Sequence, residues 1–267
     1  MRLVFMGTPD FAIPSLKRLI QHPHHEVVGV VTQPDRPKGR GLKVVYSPVK
    51  LMGLDADIPI LQPDRLREPR FKKSLRGLQV DLFVVVAFRI LPVSILTMPR
   101  HGSINLHASL LPAYRGAAPI HWAVINGETE TGVTTFLIDR HMDTGDILYR
   151  KKLSIGPDEN TGSLHDRLAM IGADVLVETV DLIAAGQAQP QPQSGVSSAA
   201  PKLSKTDGQI NWSHPVQTIH NHIRGLNPFP MAYTTWRDRT IRVIQSQLTD
   251  QAETEPSRPG EIIVADG

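Results

Sequence analysis

Apolar and polar positions along the first two-thirds of the chain switch repeatedly between a strand period and a helix period. Arg2–Met6 is a short apolar run that ends at Gly7-Thr8-Pro9. Phe11, Ile13, Leu16, Leu19 and Ile20 then recur at near-helical spacing, with Asp10 placed to cap that helix. Val27–Val31 is a continuous β-branched run, the pattern of a strand buried on both faces. A short helix near residues 49–54 precedes the apolar stretch Ile58–Leu61, and another helix is predicted around 66–78. Asp81 then leads into Leu-Phe-Val-Val-Val, the most strongly buried strand candidate of the chain. Gly102–His107 and Gly132–Ile138 read as further strands with a helix at 117–125 between them, and Thr161–Ala185 as a long amphipathic helix. Strands alternating with helices at this spacing predict an α/β fold with a doubly wound, mostly parallel sheet.

The texture changes at residue 186. Residues 186–201 (GQAQPQPQSGVSSAAP) have neither period and read as a linker held partly extended by its prolines. This divides the chain into a domain at 1–185, the linker at 186–201 and a second unit at 202–267. The second unit combines a helical piece at 216–223, a turn at Asn227-Pro228-Phe229-Pro230, and strand-like runs at 240–244 and 261–264. It reads as the start of a small β-rich domain, too short to build a full core of its own, so truncation is expected.

Composition narrows the classes. With 40% hydrophobic and 21% charged residues the chain can bury a core. No apolar run reaches the roughly 18 residues of a membrane span, and the opening Met-Arg-Leu-Val-Phe-Met is too short for a signal sequence. A cytoplasmic protein without membrane attachment is expected. The absence of cysteine removes disulfides, thiolate nucleophiles and Cys-ligated zinc. The net charge of +3 is mild, but residues 34–50 hold Arg36, Lys38, Arg40, Lys43 and Lys50 against the single acid Asp35. Such a patch suits a polyanionic partner, or is simply a solvated loop.

Three short stretches carry chemistry. Gly7-Thr8-Pro9 lies at a strand-to-helix turn, where α/β sheets bind ligands, but it lacks the three glycines of a dinucleotide site. In Ser103-Ile-Asn-Leu-His-Ala-Ser109, Asn105 and His107 stand two apart, so a strand would project both to one face. An amide donor beside an imidazole suits the oxyanion formed when an amine attacks a carbonyl; the alternative is a polar pair that merely ends a strand. Asp139-Arg-His-Met-Asp-Thr-Gly-Asp146 is an acidic turn from which Asp143 could orient an imidazole, with Asp139 and Asp146 as turn formers. His22, His24, His25, His220 and His222 form no convincing metal set; the last two are expected at the surface, and no metal is expected.

Together these runs carry a family resemblance. Ser109-Leu-Leu-Pro-Ala-Tyr-Arg-Gly-Ala-Ala-Pro119 after Asn-Leu-His, followed by Met142-Asp-Thr-Gly-Asp146, resembles the signature of the folate-dependent formyltransferases. Four further runs resemble the members of that family that act on methionyl-tRNA: residues 6–12, residues 32–41, residues 202–212 and residues 223–230. The resemblance implies that Asn105 and His107 bind the formyl oxygen, and that Asp143 pairs with a charged His107 and helps move the amine proton through water. It implies 10-formyltetrahydrofolate as co-substrate, held near Phe88, Arg89, Ile90, Ser109, Leu110, Leu111, Pro112, Asp139 and Arg140. It further implies a charged initiator methionyl-tRNA met by Gly7, Thr8, Pro9, Arg36, Lys38, Arg40 and Lys43, a C-terminal OB-like barrel that helps hold it, and action as a monomer. Ala87-Phe-Arg-Ile-Leu-Pro92 departs from the Tyr-Gly turn of the tRNA-dependent members and is closer to the purine-pathway member. Formylation of a small amine (glycinamide ribonucleotide or a nucleotide amino-sugar) and hydrolysis of the formyl-folate would use the same three residues.

Overall fold

Along Arg2–Gly7 (β1), Leu3 and Phe5 enter one apolar core while Val4 and Met6 enter another, so the strand is buried on both faces. This computed structural model describes residues 1–38, 43–249 and 258–261. After β1 the chain makes a 3-10 turn, Asp10–Ala12, before the helix α1 (Ile13–Ile20). Asp10 therefore does not cap α1 as expected. Its carboxylate accepts from the Phe11 N–H at 3.0 Å, and Pro14 in the first turn needs no partner for an absent N–H. β2 (Glu26–Val31) returns parallel to β1.

Residues read as an irregular basic loop instead form a small antiparallel hairpin, β3 (Arg36–Lys38) with β4 (Lys43–Val45). Arg40 lies outside the described residues. The chain continues through α2 (Pro48–Asp55), β5 (Ile60–Leu61), α3 (Pro69–Gly77) and β6 (Leu82–Val86). It then forms α4 (Val93–Leu96), β7 (Ser103–His107), the two-residue β8 (Arg115–Gly116) and α5 (Pro119–Ile125). β9 (Glu130–Leu137), β10 (Ile147–Ser154) and α6 (Thr161–Ala184) complete the large sheet and its cover.

The sheet order is β10-β9-β7-β6-β1-β2-β5. β7, β6, β1, β2 and β5 run parallel, while β9 and β10 extend the β7 edge antiparallel. β10 did not register as a strand in the sequence, because Arg150, Lys151 and Lys152 are tolerated on an edge strand paired along one side. α1, α5 and α6 cover one face; α3 and α4 cover the other. The chain goes outward from β1 to β2 and β5, then crosses back to β6 and β7. The switch point thus lies between β1 and β6, where α/β sheets form their ligand crevice. The register aligns Gly7 with Val86 and Val86 with Leu106, so the C-terminal ends of β1, β6 and β7 open together. A Cβ on Gly7 would stand 2.9 Å from the Val86 carbonyl oxygen, so only glycine allows that closeness.

Beyond α6 the chain stays attached to this body. β11 (Ala199–Ala200) pairs in parallel with β8. α7 (Val216–Gly225) packs against α5, and β12 (Ala232–Trp236) pairs with β13 (Arg239–Val243). Leu203, Ile210, Ile223, Leu226 and Ala232 share a core with Ala118, the residue that precedes α5. His220, expected at the surface, is 3% exposed, with Nδ1 3.0 Å from Ser246 Oγ, and His222 is half-buried. The reason is packing on both flanks of the apolar Ile219–Ile223 stripe of α7: His220 lies against Pro157 and Asp158, and His222 lies beside Gly208 and Asp207. The strand-like run from Glu261 has only Glu261 among the described residues, and it is not in a strand.

Candidate active site

β7 carries three polar side chains, Ser103, Asn105 and His107, on one face because Ile104 and Leu106 face the opposite core. Leu106 sits against α6 at Gly172, where an added Cβ would come within 2.9 Å of its side chain. That small residue lets the long helix approach β7 closely and fixes the depth of its neighbours Asn105 and His107. Asn105 is half-buried, and its amide makes no hydrogen bond to any described residue. His107 is 6% exposed. Its Nε2 donates to the Tyr114 carbonyl oxygen at 2.8 Å, which sets the tautomer, since a carbonyl only accepts. Nδ1 is the ring nitrogen left for chemistry, and it faces Asp143 Oδ2 at 3.8 Å.

Two irregular segments bring Tyr114 and Asp143 to the histidine. Residues 108–114 turn through a cis Leu111–Pro112 bond, with Tyr114 in the left-handed region at φ 59°. Thr134 Oγ1 donates to the Ser109 carbonyl at 2.7 Å and accepts from the Leu111 N–H at 3.1 Å. The Tyr114 hydroxyl donates to Glu128 at 2.5 Å and accepts from the Asn126 amide. Burial, and then the contact with Glu128, pushes that phenol up to about 12. Residues 138–146 fold back between β9 and β10, with Asp143 also left-handed at φ 55°. Asp143 Oδ2 accepts from the Gly116 N–H at 2.9 Å. Tyr114 and Gly116, two residues apart, thus support the imidazole and the carboxylate respectively.

The other residues expected at the site divide into two groups. Ser109, Leu111 and Pro112 are buried: the Ser109 hydroxyl donates to Ala113 O at 2.6 Å, and Leu111 packs with Phe136 and Ile147. Their side chains shape the turn. Leu110 and Phe88 are half-buried, while Ile90 is exposed. Arg89 donates to the Pro63 and Asp64 carbonyls and lies 5.3 Å from the Phe88 ring. Burial lowers its pKa, and the nearby Arg36 lowers it further. Asp139 accepts from the His141 N–H and the Thr144 hydroxyl, a turn-forming role, and Arg140 is exposed beside it.

On the β1 side, Thr32 Oγ1 lies 3.4 Å from Thr8 and 2.8 Å from Ser47, tying the Gly7–Pro9 turn to the base of the hairpin. Lys50 is not a free cation. It pairs with Asp35, which also accepts from Gln62, and the bond to Lys50 draws the Asp35 carboxyl below its ordinary range. The pairing uses one cation and the only acid of the patch, so residues 34–50 have no acid left to set against Arg36, Lys38, Arg40 and Lys43. Far from this crevice, His22 and His25 stack at 4.4 Å with Nε2 atoms 3.5 and 2.8 Å from Asp181. The structure thus brings His22 and His25, read in the sequence as part of no metal set, together with Asp181, and the ligand atoms of the three lie within 4.8 Å of one another.

The chain matches the formyl transferase family over residues 1–180 and the formyl transferase C-terminal domain over residues 202–267. It is 50% identical to the methionyl-tRNA formyltransferase of Geobacter metallireducens over 263 residues, covering 98% of this chain and 83% of that one. The chain belongs to the formyl transferase family, among the methionyl-tRNA formyltransferases. With the Moorella thermoacetica member it shares 52% identity over 252 residues, 94% of this chain and 81% of the relative. The fold recurs in WlaRD, a sugar 3N-formyl transferase solved in the presence of dTDP and 5-N-formyl-THF. That structure gives a TM-score of 0.71 at 22% identity, over 94% of this chain and 87% of the other. Around His107 and Asp143 the structure also places groups that the sequence does not mark: the Tyr114 carbonyl on His107, the Gly116 N–H on the Asp143 carboxylate, and Gln193, whose Nε2 donates to the Asp143 carbonyl. The first two sit inside the run that carried the resemblance, but only as backbone groups. Gln193 is one glutamine among several in a stretch that reads as linker.

Proposed function

We propose that this chain transfers the formyl group of 10-formyltetrahydrofolate to the α-amine of methionyl-tRNA. The observation that carries the chemistry is the geometry at His107, with Nε2 spent on Tyr114 and Nδ1 turned to Asp143. The amine attacks the formyl carbon, and negative charge grows on the formyl oxygen. The Asn105 amide and the Nδ1–H of a His107 held doubly protonated beside the Asp143 carboxylate donate to that oxygen and stabilise the tetrahedral intermediate. Asp143 takes the proton from the attacking nitrogen, through water, and delivers it to the folate nitrogen as its bond to the formyl carbon breaks. The products are a formamide and tetrahydrofolate, and proton count is conserved. The 3.8 Å gap between Nδ1 and Oδ2 exceeds a direct hydrogen bond and leaves room for this exchange.

The folate is held against the Phe88–Ile90 turn, Leu110 and the turn carrying Asp139 and Arg140. The tRNA acceptor arm meets the Gly7–Pro9 turn and the basic residues Arg36, Lys38, Arg40 and Lys43. Residues 1–185 act as the catalytic domain, 186–201 as connector, and 202–267 as part of an OB-like domain that helps hold tRNA. The protein works as a cytoplasmic monomer without a metal. Among the described residues no helix is long and apolar enough to cross a membrane.

The test is to incubate the protein with 10-formyltetrahydrofolate and charged methionyl-tRNA and to quantify formyl-methionine. Product with tRNA is expected. Turnover only with a small amine, or only release of formate, would overturn the acceptor assignment.

A further inference from the structure

Within residues 189–199 every side chain is exposed except Gln193, which is half-buried. Its carboxamide is used at every hydrogen. Nε2 donates to the Asp143 carbonyl and to the Gly145 carbonyl, each at 2.9 Å. Oε1 accepts from Arg115 Nη2 at 2.6 Å and Nε at 3.2 Å. One side chain thus joins the turn that carries Asp143 to the segment whose Gly116 N–H holds the Asp143 carboxylate. The backbone around Gln193 is tied at both ends. Gln191 and Ile147 exchange two hydrogen bonds at 2.8 Å. Ser198 O accepts from the Arg115 N–H at 2.8 Å, and Ser198 Oγ accepts from the Tyr114 N–H at 2.8 Å. The Ala200 carbonyl accepts from the Ala118 N–H at 3.1 Å.

We propose that Gln193 is a positioning residue for Asp143, and that the 191–200 segment is a strap completing the active site; this rests on the formyl-transfer reading above. Asp143 needs such help because a left-handed aspartate in a turn is held by its surroundings rather than by its own preference. No other side chain chemistry fits the place. It requires two donors toward carbonyls and one acceptor toward a guanidinium, which only a carboxamide supplies, and glutamine has the reach. Glutamate would keep the Arg115 contact but put lone pairs against two carbonyl oxygens. Releasing the turn would let Oδ2 drift from Gly116 and His107, and misplacement of about 1 Å in such a group costs on the order of 100-fold.

The test compares Gln193→Ala, Gln193→Glu and Gln193→Asn with the unmodified enzyme in formyl-methionyl-tRNA synthesis, alone and combined with Asp143→Asn. The expected result for Gln193→Ala and Gln193→Glu is a kcat lower by roughly 10- to 100-fold, with KM for the folate and for tRNA changed far less. In the Asp143→Asn background the same substitutions should add little, because residues acting as a unit are non-additive. Thermal unfolding of each variant separates this from collapse. If Gln193→Ala does not fold, Gln193→Glu, isosteric with the native side chain, carries the comparison. Wild-type kcat in either folded variant, or full additivity with Asp143→Asn, overturns the proposal. An unmodified enzyme that makes no formyl-methionine would instead overturn the functional reading, which keeps the two failures apart.

Discussion

The Tyr114 carbonyl oxygen accepts from His107 Nε2 at 2.8 Å, and this bond decides which end of the imidazole faces Asp143. Because the acceptor is a backbone atom, the orientation depends on the path of the 108–114 turn and not on the tyrosine side chain. In the proposed mechanism, His107→Ala removes a donor to the formyl oxygen while leaving the crevice walls in place. We expect kcat to fall by roughly 100- to 1000-fold with folate affinity within a few-fold of normal. Single-turnover kinetics with a folate-binding titration checks this; a parallel loss of folate binding would contradict the assigned role.

Gly116 stands at φ 128° with the site of a Cβ 2.6 Å from the Ala200 carbonyl oxygen. Gly116→Ala must push the strap away or twist the N–H that holds Asp143. A cost of about 1–3 kcal/mol in stability is expected. The same variant should lose kcat in step with Asp143→Asn. Thermal unfolding and initial rates on one preparation read both effects. Full stability and full activity together would mean that the strap yields freely.

The excess of cations around the hairpin makes a claim about salt. Arg36→Ala and Arg40→Ala should each raise KM for tRNA. Removing one phosphate-binding cation should make the slope of log affinity against log salt shallower by about 0.7–0.9. Hydrolytic turnover of the formyl-folate should be spared. Filter binding from low to moderate salt, with formate release measured alongside, tests it; equal loss of both activities would remove the hairpin from tRNA recognition.

Tyr114 offers a pH signature. With its folded-state value raised to about 12 from an ordinary 10.0, the neutral phenol stabilises the fold fully below pH 10. That contribution is lost as pH climbs from 10 toward 12. Tyr114→Phe leaves Glu128 and Asn126 without their partner and should cost about 1–3 kcal/mol. The difference from the native protein should hold steady from pH 7 to 10 and shrink above. Its disappearance before pH 10 would argue that the hydroxyl is not held by Glu128. Activity should change only slightly, since His107 contacts the Tyr114 backbone.

Much of this geometry is written locally in the sequence, and the rest is not for identifiable reasons. Asn105 and His107 are legible as a pair because a strand has a period of two, and the apolar Ile104 and Leu106 declare which face is core. The β-branched runs of β2 and β6 are legible for the same kind of reason. Asp143 is legible only as an acid in a turn; its approach to His107 depends on residues 138–146 folding back, which no spacing reports. Lys50 and Asp35, fifteen positions apart, cancel only once α2 has packed against β2 and β5. Gln193 is hidden by composition, since a stretch rich in Gln, Pro and Ser looks the same whether it floats or is bolted down.

The strap also changes what counts as the smallest working part of this molecule. A fragment ending at Ala185 would contain Asn105, His107 and Asp143 but would lack Gln193, Ser198 and Ala200, the groups that grip the Asp143 turn and the 114–118 segment. Swapping in a generic flexible tether of equal length would have the same effect. In recombination terms the seam lies after residue 200. A chimera that joins this catalytic unit to a foreign tRNA-holding module should keep its own connector, and take from the other parent only residues beyond that seam.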